Sequence, residues 1–187
     1  ENAKSDDAIK GVFLDLSSLS AGPAVVREIR KKLVEFRTES GKPVVAYADN
    51  YTQRAYYLAT AADEILLQPK GGLDHRGFRA EHMFLKGMFD KLDVEMQFIR
   101  GSNNKFKSFG ETFTEEKMSP ANREQMRLLL EGLWDEHRTA LGDGRGIDAA
   151  RLDEMADGML VRNADKALEL GLVDGLMSRD EVLAQAG

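Results

Sequence analysis

Three short apolar runs separated by helix-type segments place the strongest constraint on how this chain can fold. The runs cover 9–16, 44–48 and 64–67, and their β-branched and aromatic residues are typical of buried strands. Apolar residues recur at helical spacing over 24–38, and a second helix is predicted over 52–62. Strands that alternate with helices are typical of βαβ units. The sequence therefore predicts an α/β protein with a largely parallel sheet flanked by helices.

Turn and cap residues predict where these elements end. Gly41 lies where the first long helix should stop, and Asp49-Asn50 can cap the helix that follows the second strand. Gly71-Gly72 is predicted to form a turn. The later predicted elements are a helix over 79–92, a strand over 94–99, a helix from Ser119-Pro120 to about Ala140, and helices over 147–156, over 164–170 and from Arg179.

Composition limits the classes of function. The formal net charge of −6 and the pI of about 5.2 argue against a nucleic-acid partner, which needs a basic face. The chain has no cysteine, which excludes disulfides and cysteine-ligated zinc, and no apolar run reaches the roughly 18–20 residues that span a bilayer. We expect a polar linker over 1–8 and a single domain over 9–187. Because the chain opens on Glu1, we interpret it as a piece of a longer protein.

Several polar residues are weak candidates for chemistry. His75, His82 and His137 lie far apart without metal-ligand spacing, so we expect separate surface or capping histidines and no metal site. Ser17, one of three serines after the first strand, could line an oxyanion loop, but the loop has no glycine pair and the role is disfavoured. The adjacent pairs Glu115-Glu116 and Asp153-Glu154 cannot share a helix face and are predicted to be solvated.

The segment 106–113 is the strongest candidate for a catalytic element. It places Lys107 among Phe106, Phe109 and Phe113, a few residues before a predicted helix start. A lysine has an ordinary pKa of about 10.4 and acts as a base only where burial favours its neutral amine. The three aromatic rings could supply such an apolar wall if a partner closed over them. No matching nucleophile is evident elsewhere in the sequence, so the chain has the features of half of a catalytic site.

Three segments together resemble one family. The segment 41–46 before a helix and the segment 161–174, which ends Gly171-Leu172-Val173-Asp174, are similar to elements of ClpP/crotonase-fold peptidases. The lysine segment, with Met118-Ser119-Pro120 beyond it, resembles the lysine motif of the signal peptide peptidase A (protease IV) family. The resemblance is to the amino-terminal repeat of the long form, and it implies a ClpP/crotonase-like fold.

The resemblance implies a serine–lysine dyad divided between two repeats. Lys107 would be the general base, and a carboxy-terminal repeat would supply the serine. Lys105 is a rival, but Ser108, Glu111 and Phe113 keep the family's spacing relative to Lys107. Arg54 stands where the nucleophile would be, in an elbow that lacks the small residues such a turn needs.

The same resemblance implies a function for the whole protein. It would be a membrane-associated serine endopeptidase that degrades cleaved signal peptides at the periplasmic or extracytoplasmic face of the bacterial cytoplasmic membrane. It would need no metal or organic cofactor and would form homo-oligomers, and this chain alone would be inactive. The alternative is a catalytically dead crotonase-fold module for assembly or substrate binding, in which Lys107 is incidental. An acyl-CoA-handling crotonase is disfavoured by the lysine motif and the unsuited elbow.

Overall fold

The computed structural model describes residues 2–99 and 106–186. The chain divides into two compact units, one formed by 1–77 with 137–187 and the other by 78–136. The prediction of one domain over 9–187 after a linker over 1–8 stays a prediction. Within the first eight residues, Asn2–Ser5 forms a short helix, α1, and the Lys4 ammonium donates to the carboxylates of Glu35 and Glu39.

A four-stranded parallel sheet lies in the first unit, with its strands in the order β1-β2-β3-β4. The strands are β1 (Val12–Asp15), β2 (Val44–Tyr51), β3 (Glu64–Leu73) and β4 (Gly175–Leu176). The strands predicted over 9–16, 44–48 and 64–67 are present as β1, β2 and β3. Strand β4 was not predicted, because it has only two residues. The predicted parallel α/β architecture is confirmed.

The helices of this unit flank the sheet. They are α1, α2 (Pro23–Ser40), α3 (Gln53–Ala59), α7 (Ala149–Asp157), α8 (Ala164–Glu169), α9 (Arg179–Ala186) and the last part of α6 (Pro120–Arg145). Gly41 ends α2 in the left-handed conformation, at φ 65°, as predicted. Thr52 caps α3 through its side chain, so the expected cap by Asp49-Asn50 was wrong.

Both faces of β2 are covered, which explains why its sequence is a continuous apolar run. Val44, Ala46 and Ala48 belong to the main core. Tyr47 points to the other face and packs with Leu66 and with Val182 of α9. The carboxy-terminal helix therefore closes the second face of the sheet.

Strand β3 continues through Gly71-Gly72, so the predicted turn at these glycines was wrong. The register between β2 and β3 shifts between Ala48 and Asn50, and pairing resumes with Asn50 opposite Gly72. An ideal Cβ on Gly71 would lie 2.0 Å from the carbonyl oxygen of Asp49, which no side chain tolerates. Gly71 thus permits a close backbone approach at this irregularity.

The second unit contains α4 (Lys86–Lys91), α5 (Glu111–Thr114) and the first part of α6. The predicted helix over 79–92 was too long, because only Lys86–Lys91 is helical. The predicted strand over 94–99 was wrong, because these residues have no ladder partner within the described part of the chain. The Phe98 ring instead packs against Gly110 and Phe109. Among the described residues, no helix is long and apolar enough to cross a bilayer.

Candidate active site

The turn after β2 is the elbow in which the resemblance places Arg54 where a nucleophile would be. Only Thr52 separates Tyr51, the last residue of β2, from Gln53, the first residue of α3. The Thr52 hydroxyl oxygen accepts from the backbone N–H of Ala55 at 3.2 Å, as a helix cap does. Arg54 is exposed, and its guanidinium donates to the carbonyl of Ala21 at 2.9 Å. The strand-to-helix turn therefore carries a cation and no serine.

Hydrogen bonds fix the backbone that leads into this elbow. The Asp49 N–H donates to the Ser17 hydroxyl at 3.0 Å, and the Tyr47 hydroxyl donates to the Asp49 carboxylate at 2.8 Å. Burial and the nearby Asp49 raise the pKa of Tyr47 to about 12, so the phenol keeps its proton. Asp15 accepts from Arg179 at 3.0 Å. Partial burial opposes ionisation of Asp15, but hydrogen bonds from Arg179 and Ser17 outweigh it and lower the pKa. Ser17 thus supports the end of β2.

Lys107 lies in the second unit, on an exposed stretch just before α5. Two of its aromatic neighbours are also exposed, Phe106 by 50% and Phe109 by 73%. Phe109 contacts Phe98 and Phe113, with ring centroids 6.1 and 5.8 Å apart. Phe109 and Phe113 thus belong to an aromatic cluster with Phe98, while Lys107 is exposed. The apolar wall around Lys107 stays a prediction. The rival base Lys105 lies outside the described residues.

The carboxylate of Glu111 ties α5 to the start of α6. Glu111 is only 4% exposed. It accepts from the Ser119 N–H at 3.1 Å, from the Ser119 hydroxyl at 2.6 Å and from the Asn122 amide at 2.9 Å. Ser119 also accepts from the Asn122 N–H at 3.2 Å, which confirms Ser119 as the N-cap of α6. In a capping box, a side chain of the same helix accepts from the N–H of the N-cap residue. Here the acceptor for the Ser119 N–H is the carboxylate of Glu111, which belongs to α5.

Two of the three histidines are brought together, contrary to the expectation of separate surface or capping residues. The rings of His75 and His137 are both buried and stack with centroids 6.3 Å apart. Tyr57 stacks on His137 at 5.9 Å, and Arg30 lies over the Tyr57 ring at 5.3 Å. Only His82 is exposed, as predicted. Sequence reasoning missed this stack because its members come from separate elements with no shared spacing.

Burial is the main influence on these two imidazoles. It lowers the pKa of His137 to about 4, and His75 and Arg30 lower the pKa further by repulsion. Burial also lowers the pKa of His75, while a hydrogen bond to the Leu152 carbonyl and the nearby Asp153 act in the opposite direction. The His75 Nε2 lies 2.9 Å from that carbonyl oxygen. Within the described ranges, no group of three or more histidine, cysteine, aspartate or glutamate residues could hold a metal ion.

The remaining acidic pairs divide between solvated and paired residues. Glu115 and Glu116 are exposed, as predicted. Asp153 forms an ion pair with Arg138, so it is not simply solvated, and the exposed Glu154 pairs with Arg151. These interactions join neighbouring turns and helices of the first unit.

Comparison with known proteins relates this architecture to peptidases. The model of the family described as peptidase family S49 matches residues 37–187. Protease 4 of Salmonella typhi is 37% identical over 188 residues, a match that covers 96% of this chain and 30% of that protein. Protease 4 of Haemophilus influenzae is 34% identical over 152 residues, which covers 81% of this chain and 24% of that protein. The chloroplastic serine protease SPPA of Arabidopsis thaliana is 29% identical over 178 residues, covering 95% and 26%.

The fold itself has a counterpart among solved structures. The 1510-N membrane-bound stomatin-specific protease superposes with a TM-score of 0.52 at 12% identity, over 96% of this chain and 70% of that one. At this identity the likeness concerns the fold alone. The predicted ClpP/crotonase-like fold is confirmed. The chain spans about a quarter to a third of the length of these three curated relatives.

Proposed function

Because the chain belongs to peptidase family S49, we propose that it is the lysine-bearing half of a serine–lysine dyad peptidase. In this proposal Lys107 is the general base, and a second, carboxy-terminal repeat supplies the serine nucleophile. The family match includes both the elbow and the lysine segment. Each curated relative is much longer than the part this chain matches, which leaves room for a second repeat in those proteins.

The main support for this proposal is that the elbow has Arg54 where a serine nucleophile would be. A serine peptidase needs a hydroxyl at a tight strand-to-helix turn, where the backbone N–H groups are also exposed. Arg54 stands there, and the one aliphatic hydroxyl between Tyr51 and Arg54, that of Thr52, serves as the cap of α3. A chain of this family with a lysine segment and such an elbow needs a nucleophile from elsewhere.

The proposed chemistry begins with proton transfer from serine to the neutral Lys107 amine. The serine oxygen then attacks the scissile carbonyl carbon, and backbone N–H donors of the second repeat stabilise the oxyanion. The lysine ammonium returns the proton to the leaving amine as the acyl-enzyme forms. The same amine then takes a proton from water as the water oxygen attacks the ester carbonyl carbon. The ammonium returns that proton to the departing serine oxygen, which regenerates the serine and the neutral amine. No step requires a metal or an organic cofactor.

The exposure of the lysine segment fits a base that is completed by a partner. A lysine amine is neutral near neutral pH only where water is excluded. In this chain Lys107 is exposed, and Phe106 and Phe109 present apolar surface beside it. We propose that the second repeat covers these rings, so that the chain alone is inactive.

The substrates and location follow from the resemblance rather than from the geometry. We propose that the whole protein degrades cleaved signal peptides at the extracytoplasmic face of the cytoplasmic membrane and assembles as a homo-oligomer. The second unit exposes many large apolar side chains, Met83, Leu92 and Phe109 among them. Such a concentration of exposed apolar surface is typical of sites that contact other proteins or apolar ligands.

The test compares three lysine variants of the full-length protein. Lys107→Ala should lower the rate of signal-peptide cleavage by about 10²- to 10⁴-fold, the contribution of a general base. Lys105→Ala should retain activity, and so should the control Lys117→Ala, which removes an exposed lysine from the same unit. The serine elbow should be labelled by an activated phosphonate in wild type and much more slowly in Lys107→Ala.

Three outcomes would overturn the proposal. Full activity of Lys107→Ala would show that Lys107 is not the general base. Loss of activity in Lys105→Ala alone would assign that role to Lys105. A full-length protein that cleaves no peptide and takes up no phosphonate would instead be an assembly or substrate-binding module.

A further inference from the structure

Two adjacent buried residues help to hold the lysine segment in place. Among the described residues 106–114, only Gly110 and Glu111 are buried. Gly110 lies against the Phe98 ring, so closely that an added Cβ would come within 2.7 Å of it. Glu111 is bonded to the start of α6 by three donors. These two adjacent anchors follow Lys107 by three and four residues.

The connection from Glu111 back to Lys107 is short and hydrogen-bonded. The Glu111 N–H donates to the Ser108 carbonyl at 3.0 Å, and the Phe113 N–H donates to the Gly110 carbonyl at the same distance. The Thr112 carbonyl accepts from the Leu85 N–H at 2.7 Å, which fixes α5 on a second side. A displacement of Glu111 would thus be transmitted through one tight turn to Lys107.

Capping alone does not account for the burial of a carboxylate here. The Ser119 hydroxyl already caps α6 by accepting from the Asn122 N–H. Burial of a carboxylate is costly unless it is well bonded, and a cap needs no such group from a separate helix. The carboxylate is the group that fixes the separation between α5 and the first turn of α6.

We propose that Glu111 is a positioning residue that holds Lys107 where it can take the proton from the serine. This inference rests on the proposed role of Lys107 as general base. Glu111 itself touches neither substrate nor nucleophile; it acts through the turn over 108–111. Loss of the anchor should let the amine move, and a displacement of about 1 Å can reduce a catalysed rate by two orders of magnitude.

The experiment measures kcat and KM for peptide cleavage by the full-length protein. Glu111→Ala should lower kcat by roughly 10- to 100-fold and leave KM within about twofold, since the lost interaction serves the reaction rather than binding. Glu111→Gln keeps an acceptor for Ser119 and should recover most of kcat. Ser119→Ala, which removes one of the three donors, should fall between these variants.

A matched control separates positioning from simple destabilisation. Asn163 caps α8 by accepting from the Lys166 N–H at 2.9 Å. Asn163→Ala should lower thermal stability as the loss of a cap does, and kcat per folded molecule should stay at the wild-type value. If Glu111→Ala does not fold, the Glu111→Gln and Ser119→Ala variants decide the question by the same two parameters.

The outcomes distinguish the inference from the function on which it rests. If Lys107→Ala is inactive while Glu111→Ala keeps wild-type kcat, Glu111 is not a positioning residue and the proposed function stands. Wild-type kcat in Ser119→Ala has the same meaning where Glu111→Ala does not fold. A kcat for Glu111→Ala that falls only with the folded fraction, as for Asn163→Ala, also overturns the inference. Full activity of Lys107→Ala overturns the proposed function itself.

Discussion

The guanidinium of Arg145 donates two hydrogen bonds to the carboxylate of Asp174, at 2.7 and 2.9 Å. The same guanidinium donates to the Gly171 carbonyl, and Asp174 also accepts from the Ile65 N–H at 2.8 Å. Partial burial works against the Asp174 charge, but the bonds from Arg145 and Ile65 lower the pKa of Asp174. The end of α6, the start of β3 and the Gly171-Leu172-Val173-Asp174 motif are thus joined by one forked ion pair.

This relationship predicts a structural role for the last residue of that motif. Asp174→Ala should destabilise the chain by roughly 2–3 kcal/mol, because it removes charged hydrogen bonds and leaves the Ile65 N–H without its acceptor. Arg145→Lys should also be destabilising, since an ammonium cannot make the fork. Chemical unfolding measures both. Asp157→Ala, an exposed carboxylate at the end of α7, is the control, and an equal loss in that variant would contradict the prediction.

Adjacent glycines in β3 supply a matched pair of substitutions. Gly71→Ala should lower the free energy of unfolding by about 1–3 kcal/mol, because its Cβ would meet the Asp49 carbonyl and the backbone would have to shift. Gly72→Ala should be far milder, since its nearest contact is the Asn50 amide oxygen at 3.4 Å. The midpoints of urea unfolding compare the two, and equal midpoints would show that the close approach at Gly71 is not what requires glycine.

Local signals in the sequence predicted much of this fold. The stop at Gly41 and the start of α6 at Ser119-Pro120 were predicted, because each depends on backbone groups only a few residues away. The parallel sheet was predicted because strands covered on both faces must be continuously apolar. The strand expected over 94–99 was wrong because an alternating pattern does not supply a partner strand.

The tertiary pairs could not be predicted in this way. Glu111 was noted only for its spacing from Lys107, and nothing local indicates that its carboxylate reaches Ser119. His75 and His137 meet only after β3 and α6 have been placed. The assignment of Lys107 as the base came from a resemblance and stays a prediction.

The buried imidazole of His137 predicts that stability falls in mild acid. Its folded pKa of about 4 lies below the ordinary value of 6.5, so the unfolded chain binds the proton first as the pH falls. Stability should therefore decrease between about pH 6.5 and pH 4, by up to roughly 3 kcal/mol from this residue. The lowered pKa of His75 acts in the same direction.

Unfolding midpoints measured from pH 7.5 to 4.5 test this dependence. His137→Phe keeps an aromatic ring between Tyr57 and His75 but cannot take up a proton, so its stability should change less with pH than that of wild type. His82→Ala removes an exposed imidazole and is the control. A His137→Phe profile parallel to wild type would show that acid acts elsewhere.

The exposed ring of Phe109 predicts an effect on assembly without an effect on folding. Its side chain is 73% exposed, so Phe109→Gln should leave the unfolding temperature of this chain nearly unchanged. If the second repeat that covers this ring comes from a neighbouring protomer of the proposed oligomer, the substitution loses about 1.5–3 kcal/mol of apolar burial per contact. The dissociation constant should then rise by roughly 10- to 100-fold, which sedimentation velocity of the full-length protein over a concentration series measures. Met159→Gln, at a side chain 64% exposed in the first unit, is the control. If the dissociation constant rises equally in both variants, or in neither, Phe109 is not part of the assembly surface.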